Sequence, residues 1–453
     1  MKKKWGRGNI FFLLVLMVAL QMVFILVMRN SPSTNHEQGR HETERSSKRT
    51  SMLSWWTIVS MQRTSIVCDR SNEIYDWCFL NRPTILVPRR STFFAMNMYT
   101  PTKMPPLTEK VRPYPRKWET IITSIKEISL SLTPIHTSCD VYHNSPALVF
   151  STGGYTGNLF HDFNDGIIPL YVTINTLFHK DQDVVLVISD FKDWWNSKYE
   201  TILPQFSKHP IINLDNQTMT HCFPRASVGL FSHGPMTIDP SMLPTSKTFL
   251  DFRSLLGAAY DKCNAAPVPP LVTGKPRLVF VTRAGTVGRV IRNQDSVLRT
   301  TKEEGFDVVV FSPNKFTYLC DVYKLINTSH AVFGVHGAAL THSLFLRPGA
   351  VLMQVVPLGN EWLAEKYFRN MAINGMKLEY MEYKVRAEES SLAEKYGNDH
   401  VIVRRAKEIA SRNWTALDTV YLKGQDVRLD VERLRDFLKV GYVKAKRFMD
   451  DNG

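Results

Sequence analysis

The feature that most constrains the fold is a strand–turn–helix–strand unit at residues 330–357. It opens with the apolar run AVFGV, which has the length and composition of a buried parallel strand. The small residues HGAA follow as a turn at which a helix can begin, and a second strand-like run covers residues 350–356. Because parallel neighbours need a crossover connection, this unit predicts a doubly wound sheet.

The same alternation recurs in two series, which a proline-rich stretch at residues 263–276 separates. Further predicted strands are residues 147–150, 184–188, 228–231, 278–281 and 308–311, and the predicted helices are 158–179, 191–199, 249–260, 294–304, 316–326, 361–371 and 430–448. We therefore expect an α/β protein with two Rossmann-like lobes facing a cleft. The N-terminal lobe would cover 66–265, the C-terminal lobe 277–400, and a C-terminal helical segment 401–453.

The N-terminus predicts a membrane anchor. Residues 10–28 are apolar apart from one glutamine, and at about 1.5 Å per residue such a helix just spans a hydrocarbon core of about 30 Å. Four basic residues precede it, which places residues 1–9 in the cytosol and the remainder across the membrane. A cleaved signal peptide is the alternative, but its apolar region would be shorter and would end at small residues. Residues 29–65, rich in Ser, Thr, Arg, His and Glu, are expected to form a stem.

All six cysteines follow the predicted anchor. An even number outside the cytosol suits disulfides, although six cysteines allow about 15 pairings among which sequence cannot choose. Glycosylation sequons predict N-linked glycans at Asn216, Asn327 and Asn413. No spacing typical of zinc ligands is present.

The net charge of the chain indicates an anionic ligand but does not identify which one. The 453 residues carry a net charge of +14, which suits nucleic acid, anionic membrane, nucleotide-sugar phosphates or an acidic polysaccharide. The basic residues are dispersed and form no nucleic-acid-binding signature, so no nucleic-acid partner is expected.

A first candidate cluster lies in the predicted helix after residue 157. His161 and Asp165 are four residues apart and share a helix face, while Asp162 lies one position round. A carboxylate beside an imidazole is a plausible general base for a hydroxyl proton. The alternative is that these side chains only cap and pair near a helix start.

Two further clusters follow predicted strands of the second series. The segment TRAGTVGRVIRN, residues 282–293, carries Arg283, Arg289 and Arg292 together with two glycines. Arginine forks match phosphate oxygens, and glycines let a backbone approach a diphosphate, whereas surface arginines can also be merely solvated. The turn at His336 and Gly337 would place helix-start N–H groups at the carboxyl edge of the sheet, where phosphate binds; an ordinary turn with a structural histidine is the alternative.

The sequence favours arginines over a metal for neutralising a diphosphate. An Asp-x-Asp metal site of a sugar transferase usually follows a strand, but Asp181 and Asp183 precede theirs. No metal and no further cofactor are therefore expected.

Five stretches together resemble glycosyltransferase family 61, and within it the plant enzymes that decorate xylan. They are residues 68–78, 111–117 (VRPYPRK), 157–165 (GNLFHDFND), 283–293 and 334–349, and the glutamates of 387–392 resemble the family's C-terminal segment. The similarity runs from about residue 68 to residue 400, with its blocks in the family's order. The region after Cys78 matches poorly, and a Cys68–Cys78 pairing stays open.

The resemblance implies a single-pass type II membrane protein of the Golgi, with the two-lobed GT-B arrangement and a lumenal catalytic part. It implies an inverting enzyme that uses UDP-sugars without an essential metal. Carried onto this chain, the UDP-sugar site would consist of Arg283, Arg289, Arg292, Asn293, His336 and Gly337. His161 or Asp165 would be the base that activates the acceptor hydroxyl.

The expected function is transfer of a pentose, xylose or arabinofuranose, from a UDP-pentose to the xylan backbone. A Golgi synthase complex is an expected partner. One alternative is xylosyl or N-acetylglucosaminyl transfer to an N-glycan or O-glycan, which other branches of the family perform. Another is a non-catalytic Golgi scaffold or polysaccharide-binding protein.

Overall fold

The computed structural model describes residues 66–96, 107–132, 135, 137–178, 183–283 and 288–452. The predicted tail, anchor and stem lie outside these residues. Within the described part, no helix combines the length and the apolar character needed to cross a bilayer.

The secondary structure of the described part is mixed, which confirms the α/β class. The strands are β1 (Ile66–Asp69), β2 (Trp77–Leu80), β3 (Thr84–Val87), β4 (Thr92–Ala95), β5 (Thr108–Val111), β6 (Ile128–Ser131), β7 (Val141–Tyr142), β8 (Ala147–Ser151), β9 (Val185–Ser189), β10 (Ile212–Asn213), β11 (His221–Phe223), β12 (Ala226–Val228), β13 (Arg277–Val281), β14 (Asp307–Phe311), β15 (Ala331–Val335), β16 (Val351–Val356) and β17 (Glu379–Lys384).

The helices connect and flank these strands. The α-helices are Leu159–His161, Ile168–Leu177, Asp193–Tyr199, Phe249–Tyr260, Gln294–Glu303, Leu319–Asn327, Glu361–Leu363, Ser391–Tyr396, Val401–Arg404, Ala406–Arg412, Trp414–Ala416 and Val431–Asn452. Segments of π-helix cover Asp162–Ile167, Ala364–Arg369, Met371–Gly375 and Leu417–Leu422. Short 3₁₀ helices cover Pro88–Arg90, Thr120–Ser124, Leu203–Gln205, Pro240–Met242, Ala338–Phe345 and Ala387–Glu389.

Two six-stranded sheets share one core. The first sheet has the order β1-β2-β12-β8-β9-β10, in which β12, β8, β9 and β10 are parallel and β2 pairs antiparallel to β12. The second sheet has the order β5-β6-β4-β3-β11-β7 and is mostly antiparallel. Side chains from both sheets, among them Leu80, Phe93, Leu130 and Val149, form a single buried apolar cluster. The second sheet is absent from the sequence-based prediction.

The third sheet is wholly parallel, with the order β14-β13-β15-β16-β17. Its strands are apolar and buried on both faces at β13, β15 and β16, as parallel strands between helices must be. The chain passes from β13 outward to β14, and then back past β13 to β15. The order therefore changes direction between β13 and β15, which is where doubly wound folds bind ligands.

The C-terminal segment closes one side of the third sheet. Helix Val431–Asn452 packs Leu434, Leu438 and Ala445 into the core of that sheet. The short helices between residues 363 and 422 form a separate apolar cluster beside it.

Three disulfides join the six cysteines. They pair Cys68 with Cys78, Cys139 with Cys222 and Cys263 with Cys320. The first is the pairing left open at the sequence level.

Some predicted elements differ from the observed ones for local reasons. The strand expected at residues 228–231 ends at Val228, because Gly229 adopts φ 105° and a Cβ there would lie 2.4 Å from the carbonyl of Asp76. The helix expected from residue 316 begins at Leu319, because Asn314 accepts a bond from the N–H of Phe316 and holds a turn instead.

Candidate active site

Two predicted site residues leave neighbouring strands of the third sheet at the same edge. Arg283 follows the end of β13, and His336 follows the end of β15, which pairs with β13. Both therefore lie at the carboxyl ends of the strands, at the point where the strand order changes direction. The sequence-based expectation that these two residues belong together agrees with this placement.

Gly337 allows two arginines to lie against the turn after β15. Its φ is 156°, and a Cβ there would lie 2.4 Å from Nη1 of Arg283 and 3.3 Å from Nη1 of Arg289. Arg289 donates to the carbonyl of His336 at 3.0 Å, and Arg283 donates through Nε to the carbonyl of Gly288 at 3.2 Å. Backbone oxygens, and not carboxylates, hold the two guanidinium groups in place.

Neither arginine forms an ion pair within the described residues. Burial lowers the pKa of Arg283. Burial, followed by the charge of Arg283, lowers the pKa of Arg289, and only Asp418 opposes this. The Nε of Arg289 is buried without a hydrogen-bond partner. Because a guanidinium keeps its proton in proteins, this turn carries two positive charges that have no ion-pair partner among the described residues, and it suits an anion with several oxygens.

His336 is a neutral hydrogen-bond donor at the same turn. Burial, with the charges of Arg289 and Arg283, lowers the pKa of His336 to about 3. Nε2 of Gln354 lies 2.6 Å from Nδ1 of His336, and the hydroxyl of Tyr380 donates to the amide oxygen of Gln354 at 2.8 Å. With the Gln354 amide assigned in this orientation, Nδ1 of His336 is an acceptor and the proton lies on Nε2.

The other candidate pair lies on the helix that follows β8 in the first sheet. Nδ1 of His161 lies 2.7 Å from Oδ2 of Asp165, whose side chain is 2% exposed. Burial would raise the pKa of Asp165, but the hydrogen bond from His161 and the charge of Arg116 hold it below its ordinary value of 3.8. An ionised carboxylate only accepts, so Nδ1 of His161 carries the proton. In the neutral ring, Nε2 is then free to accept one.

Three residues that were not singled out from the sequence complete this pair. Oδ2 of Asp165 also accepts from Nε of Arg116 at 2.7 Å and from the hydroxyl of Tyr114 at 3.0 Å. Nη1 of Arg116 donates to Glu119 at 2.6 Å. Tyr114 and Arg116 belong to the matched stretch VRPYPRK, so the resemblance located the segment without indicating these contacts.

Backbone geometry fixes this segment beside the helix. Arg116 adopts φ 98°, in the left-handed region, and the N–H groups of Arg116 and Lys117 both donate to the carbonyl of Ile74, at 2.7 and 3.0 Å. Buried Arg116 therefore reaches Asp165 from a loop that is itself held by a long-range contact.

A cleft of roughly 520 Å³ brings the two groups together. His161, Tyr155 and Phe160 line it from the first sheet's side, whereas Arg283, Arg289, His336 and Gly337 line it from the third sheet's side. Residues 414–423 contribute a further wall, with Trp414, Asp418, Leu422 and Lys423. Its volume is within the range of about 300–1,000 Å³ that is usual for ligand pockets.

Three predicted site residues do not line this cleft. Asp165 contacts it only through His161 and Arg116. Arg292 pairs with Glu394 at 2.6 Å and with Asp426 at 3.4 Å. Asn293 exchanges two hydrogen bonds with the backbone of Leu429. Arg292 and Asn293 thus join the loop after β13 to the C-terminal segment.

The predicted glycosylation sites differ in exposure. Asn216 and Asn413 are exposed, although Asn413 also accepts a bond from the N–H of Ala416. Asn327 is half-buried and its side-chain oxygen is bonded to Arg253. Over the residues described, no group of three or more His, Cys, Asp or Glu side chains could hold a metal ion. Asp181 lies outside the described residues.

Comparison with known proteins places the chain among the glycosyltransferases. The family model of glycosyltransferase 61 matches residues 81–353, more than half of the chain. The chain therefore belongs to glycosyltransferase family 61, as the sequence motifs indicated.

Several curated relatives are plant enzymes. The chain is 38% identical to xylan glycosyltransferase MUCI21 of Arabidopsis thaliana, over 86% of this chain and 81% of that protein. It is 35% identical to the alpha-1,3-arabinosyltransferase XAT3 of rice, over 73% of this chain and 57% of that protein. It is 34% identical to the beta-1,2-xylosyltransferase XYXT1 of rice, over 73% of this chain and 70% of that protein.

Proposed function

We propose that this enzyme transfers a pentose, xylose or arabinofuranose, from a UDP-sugar to the xylan backbone with inversion at the anomeric carbon. The observation that carries the proposal is the pair Arg283 and Arg289, which have no ion-pair partner in the described part of the chain and face His161 across one cleft. The names of the relatives supply the sugar class and the acceptor.

The arginine side of the cleft binds the leaving diphosphate. Arginine donates in a planar fork that matches phosphate oxygens, and Nε2–H of His336 adds a neutral donor. These groups are fixed before the reaction begins, so they stabilise the negative charge that develops as the bond from the anomeric carbon to the β-phosphate oxygen breaks. The electron pair of that bond remains on UDP.

The histidine side of the cleft activates the acceptor. Nε2 of His161 takes the proton of the acceptor hydroxyl while its oxygen forms the new bond to the anomeric carbon, on the face opposite the leaving group. Asp165 holds Nδ1–H of His161 and stabilises the imidazolium, as the carboxylate of a hydrolase triad does. Asp165 is thus a positioning residue, and His161 is the base.

We propose that a two-lobed GT-B arrangement underlies this geometry. The first sheet lies within residues 66–265 and the third sheet within 277–400, and the proline-rich stretch 263–276 joins them. The cleft has walls from both sides of that stretch. Such an arrangement lets one lobe hold the donor and the other the acceptor.

Transfer can be tested directly on the full-length protein in detergent. We expect incubation with UDP-xylose or UDP-arabinofuranose and xylohexaose to give a product one pentose heavier by mass spectrometry. Folded protein that transfers neither pentose would refute the proposal, and transfer only to glycoprotein acceptors would reassign the acceptor.

The diphosphate site has its own test. A ligand at about 100 times its Kd stabilises the folded state by about 2.7 kcal/mol, so UDP should raise the Tm of the wild type. Arg283→Ala should abolish this rise. Arg299→Ala removes an exposed arginine outside the cleft and should keep it. An undiminished rise in Arg283→Ala would remove Arg283 from the site.

We also propose that the enzyme is a Golgi membrane protein of type II topology. The apolar residues 10–28, the basic residues before them and the pairing of all six cysteines support a lumenal catalytic part. Protease protection of a C-terminal epitope in Golgi vesicles tests this, and co-purification of a xylan synthase would test membership in a complex.

A further inference from the structure

A second cavity of roughly 330 Å³ adjoins the cleft. Arg116 and Tyr367 line both spaces, so the cavity and the cleft are neighbours. On the cavity's far side lie Ser232 and Gly234, which follow β12. Asp165, on the helix that follows β8, also lines it.

This cavity has the same topological position in the first sheet as the cleft has in the third. β8 lies between β12 and β9, and the three strands are parallel. The chain leaves β8 toward β9 and later returns to β12 on the other side of β8, so the strand order changes direction between β8 and β12. The segments that follow these two strands supply Ser232, Asn164 and Asp165 to the cavity, whereas Glu73, Arg116 and Lys366 come from other parts of the chain. A ligand site is expected at such a position.

Trp118 is the distinctive side chain of the cavity. It lines the cavity, yet 59% of its surface is exposed to solvent. The guanidinium carbon of Arg116 lies 5.8 Å from the centre of the Trp118 ring and 5.7 Å from that of Tyr155. Arg116 therefore connects the exposed indole to the buried pair of Asp165 and His161. The exposed face of Trp118 thus lies at the edge of a cavity with polar groups, where an apolar ring face can stack on it.

The chemistry of the cavity suits a pyranose ring. A β-linked xylopyranose carries its oxygens equatorially, so its two faces are C–H surfaces that can lie flat on the negative face of an indole. Its ring edge needs hydrogen-bonding groups, and Glu73, Ser232 and Lys366 line the same cavity.

We infer that this cavity binds a backbone xylose adjacent to the one that receives the pentose, with Trp118 as the stacking platform. This inference rests on the proposed function for its acceptor. The substituted xylose enters the cleft, where its hydroxyl meets His161. The neighbouring residue of the chain lies beyond Arg116 and Tyr367, because Asp165 lines the cavity and bonds to His161 at 2.7 Å. Specificity for a polymer over a free sugar then arises from two adjoining spaces.

The test compares acceptors of increasing length, from xylose to xylohexaose. In the wild type, KM should fall as the chain gains a residue that fills the cavity. Trp118→Ala should raise KM for xylohexaose about tenfold, which corresponds to about 1.4 kcal/mol, and should flatten the dependence on length. KM for the UDP-sugar and the Tm should stay unchanged, because Trp118 does not line the cleft and is largely exposed.

Two variants control the experiment. Trp118→Phe keeps an aromatic face and should recover most of the affinity. Tyr142→Ala removes an aromatic side chain that is 73% exposed on β7 of the second sheet and lines neither space. It should behave as the wild type.

The outcomes separate this inference from the proposed function. Xylohexaose binding can be measured without donor, by titration calorimetry. A wild type that transfers pentose but whose Trp118→Ala variant keeps its KM and its length dependence would overturn the inference alone. Binding that depends on Trp118, in a protein that transfers no pentose, would retain the polysaccharide site and reject the transferase proposal.

Discussion

Asp165→Asn tests whether this carboxylate orients the base. Its Oδ2 accepts from Arg116 and His161, each at 2.7 Å, and from Tyr114 at 3.0 Å. Asparagine keeps the shape but removes the charge, so Arg116, whose side chain is 8% exposed, retains only Glu119 as an ion-pair partner. Breaking a buried pair costs about 3–5 kcal/mol, and the remaining glutamate places the expected loss near 3 kcal/mol.

The loss of kcat in Asp165→Asn, expressed as a free energy, should be larger than the loss in the free energy of unfolding. An asparagine can donate to Nδ1 of His161, which favours the tautomer whose Nε2 carries the proton and cannot accept one. The same change in a serine-protease triad lowers kcat about 10⁴-fold, and we expect a loss of about 10³- to 10⁴-fold here. UDP affinity should not change, because neither Arg283 nor Arg289 contacts Asp165.

The measurements are kcat with saturating UDP-sugar and xylohexaose, the UDP-induced rise in Tm, and the free energy of unfolding. Asp307→Asn is the matched control, because Asp307 pairs at 3.0 Å with Arg277, which is 1% exposed, at the amino end of β13. It should lower stability and leave kcat unchanged. If Asp165→Asn retains kcat within tenfold, or if His161→Ala and Asp165→Asn are fully additive in a double variant, the orienting role is wrong.

Three further outcomes follow from the described contacts. Gly337→Ala should lower UDP affinity about tenfold, because the added Cβ would displace the Arg283 guanidinium from its place against the turn. It should also lower the Tm, because φ 156° is a backbone conformation that alanine rarely adopts. Calorimetry with UDP measures the affinity, and an unchanged affinity would contradict the prediction. Arg292→Ala should change the free energy of unfolding by less than about 1 kcal/mol and leave UDP affinity unchanged, because both ion pairs of Arg292 are exposed to solvent. A large loss of UDP affinity would show that Arg292 belongs to the site after all. The native pKa of Asp165 lies below its unfolded value, so its stabilising contribution is complete above about pH 4 and is lost as the pH falls through the native pKa. The difference in unfolding free energy between wild type and Asp165→Asn should therefore be constant from pH 5 to 7 and shrink in stronger acid, and a difference that grows on acidification would refute the assignment.

The positions of the candidate residues in the cleft were predictable where they follow from strand ends. A buried apolar run predicts a strand, and in a parallel sheet the residues that follow it must lie at the carboxyl edge of the sheet. Local patterns therefore sufficed for Arg283, His336 and the helix of His161. The shared face of His161 and Asp165 followed from their spacing of four residues, and the structure shows the 2.7 Å contact.

The residues that were missed depend on contacts between distant parts of the chain. Arg116 reaches Asp165 only because its loop is held at Ile74 in a left-handed backbone conformation that no local pattern indicates. The second sheet is built from strands of two to four residues, such as β5 with the sequence TEKV, which carry too few alternations to give a periodic signal.

The three arginines after β13 also depend on contacts that a local sequence pattern does not show. Sequence cannot say which face of a loop each side chain takes. A bridge between Ile291 and Val427 sets that geometry, and it directs Arg292 and Asn293 toward the C-terminal segment and away from the cleft. The prediction of Arg283 and Arg289 as diphosphate ligands remains to be tested by UDP binding.

The wall formed by residues 414–423 affects how the enzyme can be truncated. The family match stops at residue 353, yet Trp414, Asp418 and Lys423 reach back over the turn that carries Arg289. An expression fragment that ends at the family boundary would lack these residues, and the cleft would be open to bulk water on this side. The fragment would also lack helix Val431–Asn452, so the core residues of the third sheet that pack with Leu438 and Ala445 would be exposed. Domain limits drawn from sequence alignment alone would thus yield a fragment that lacks part of the wall of the cleft.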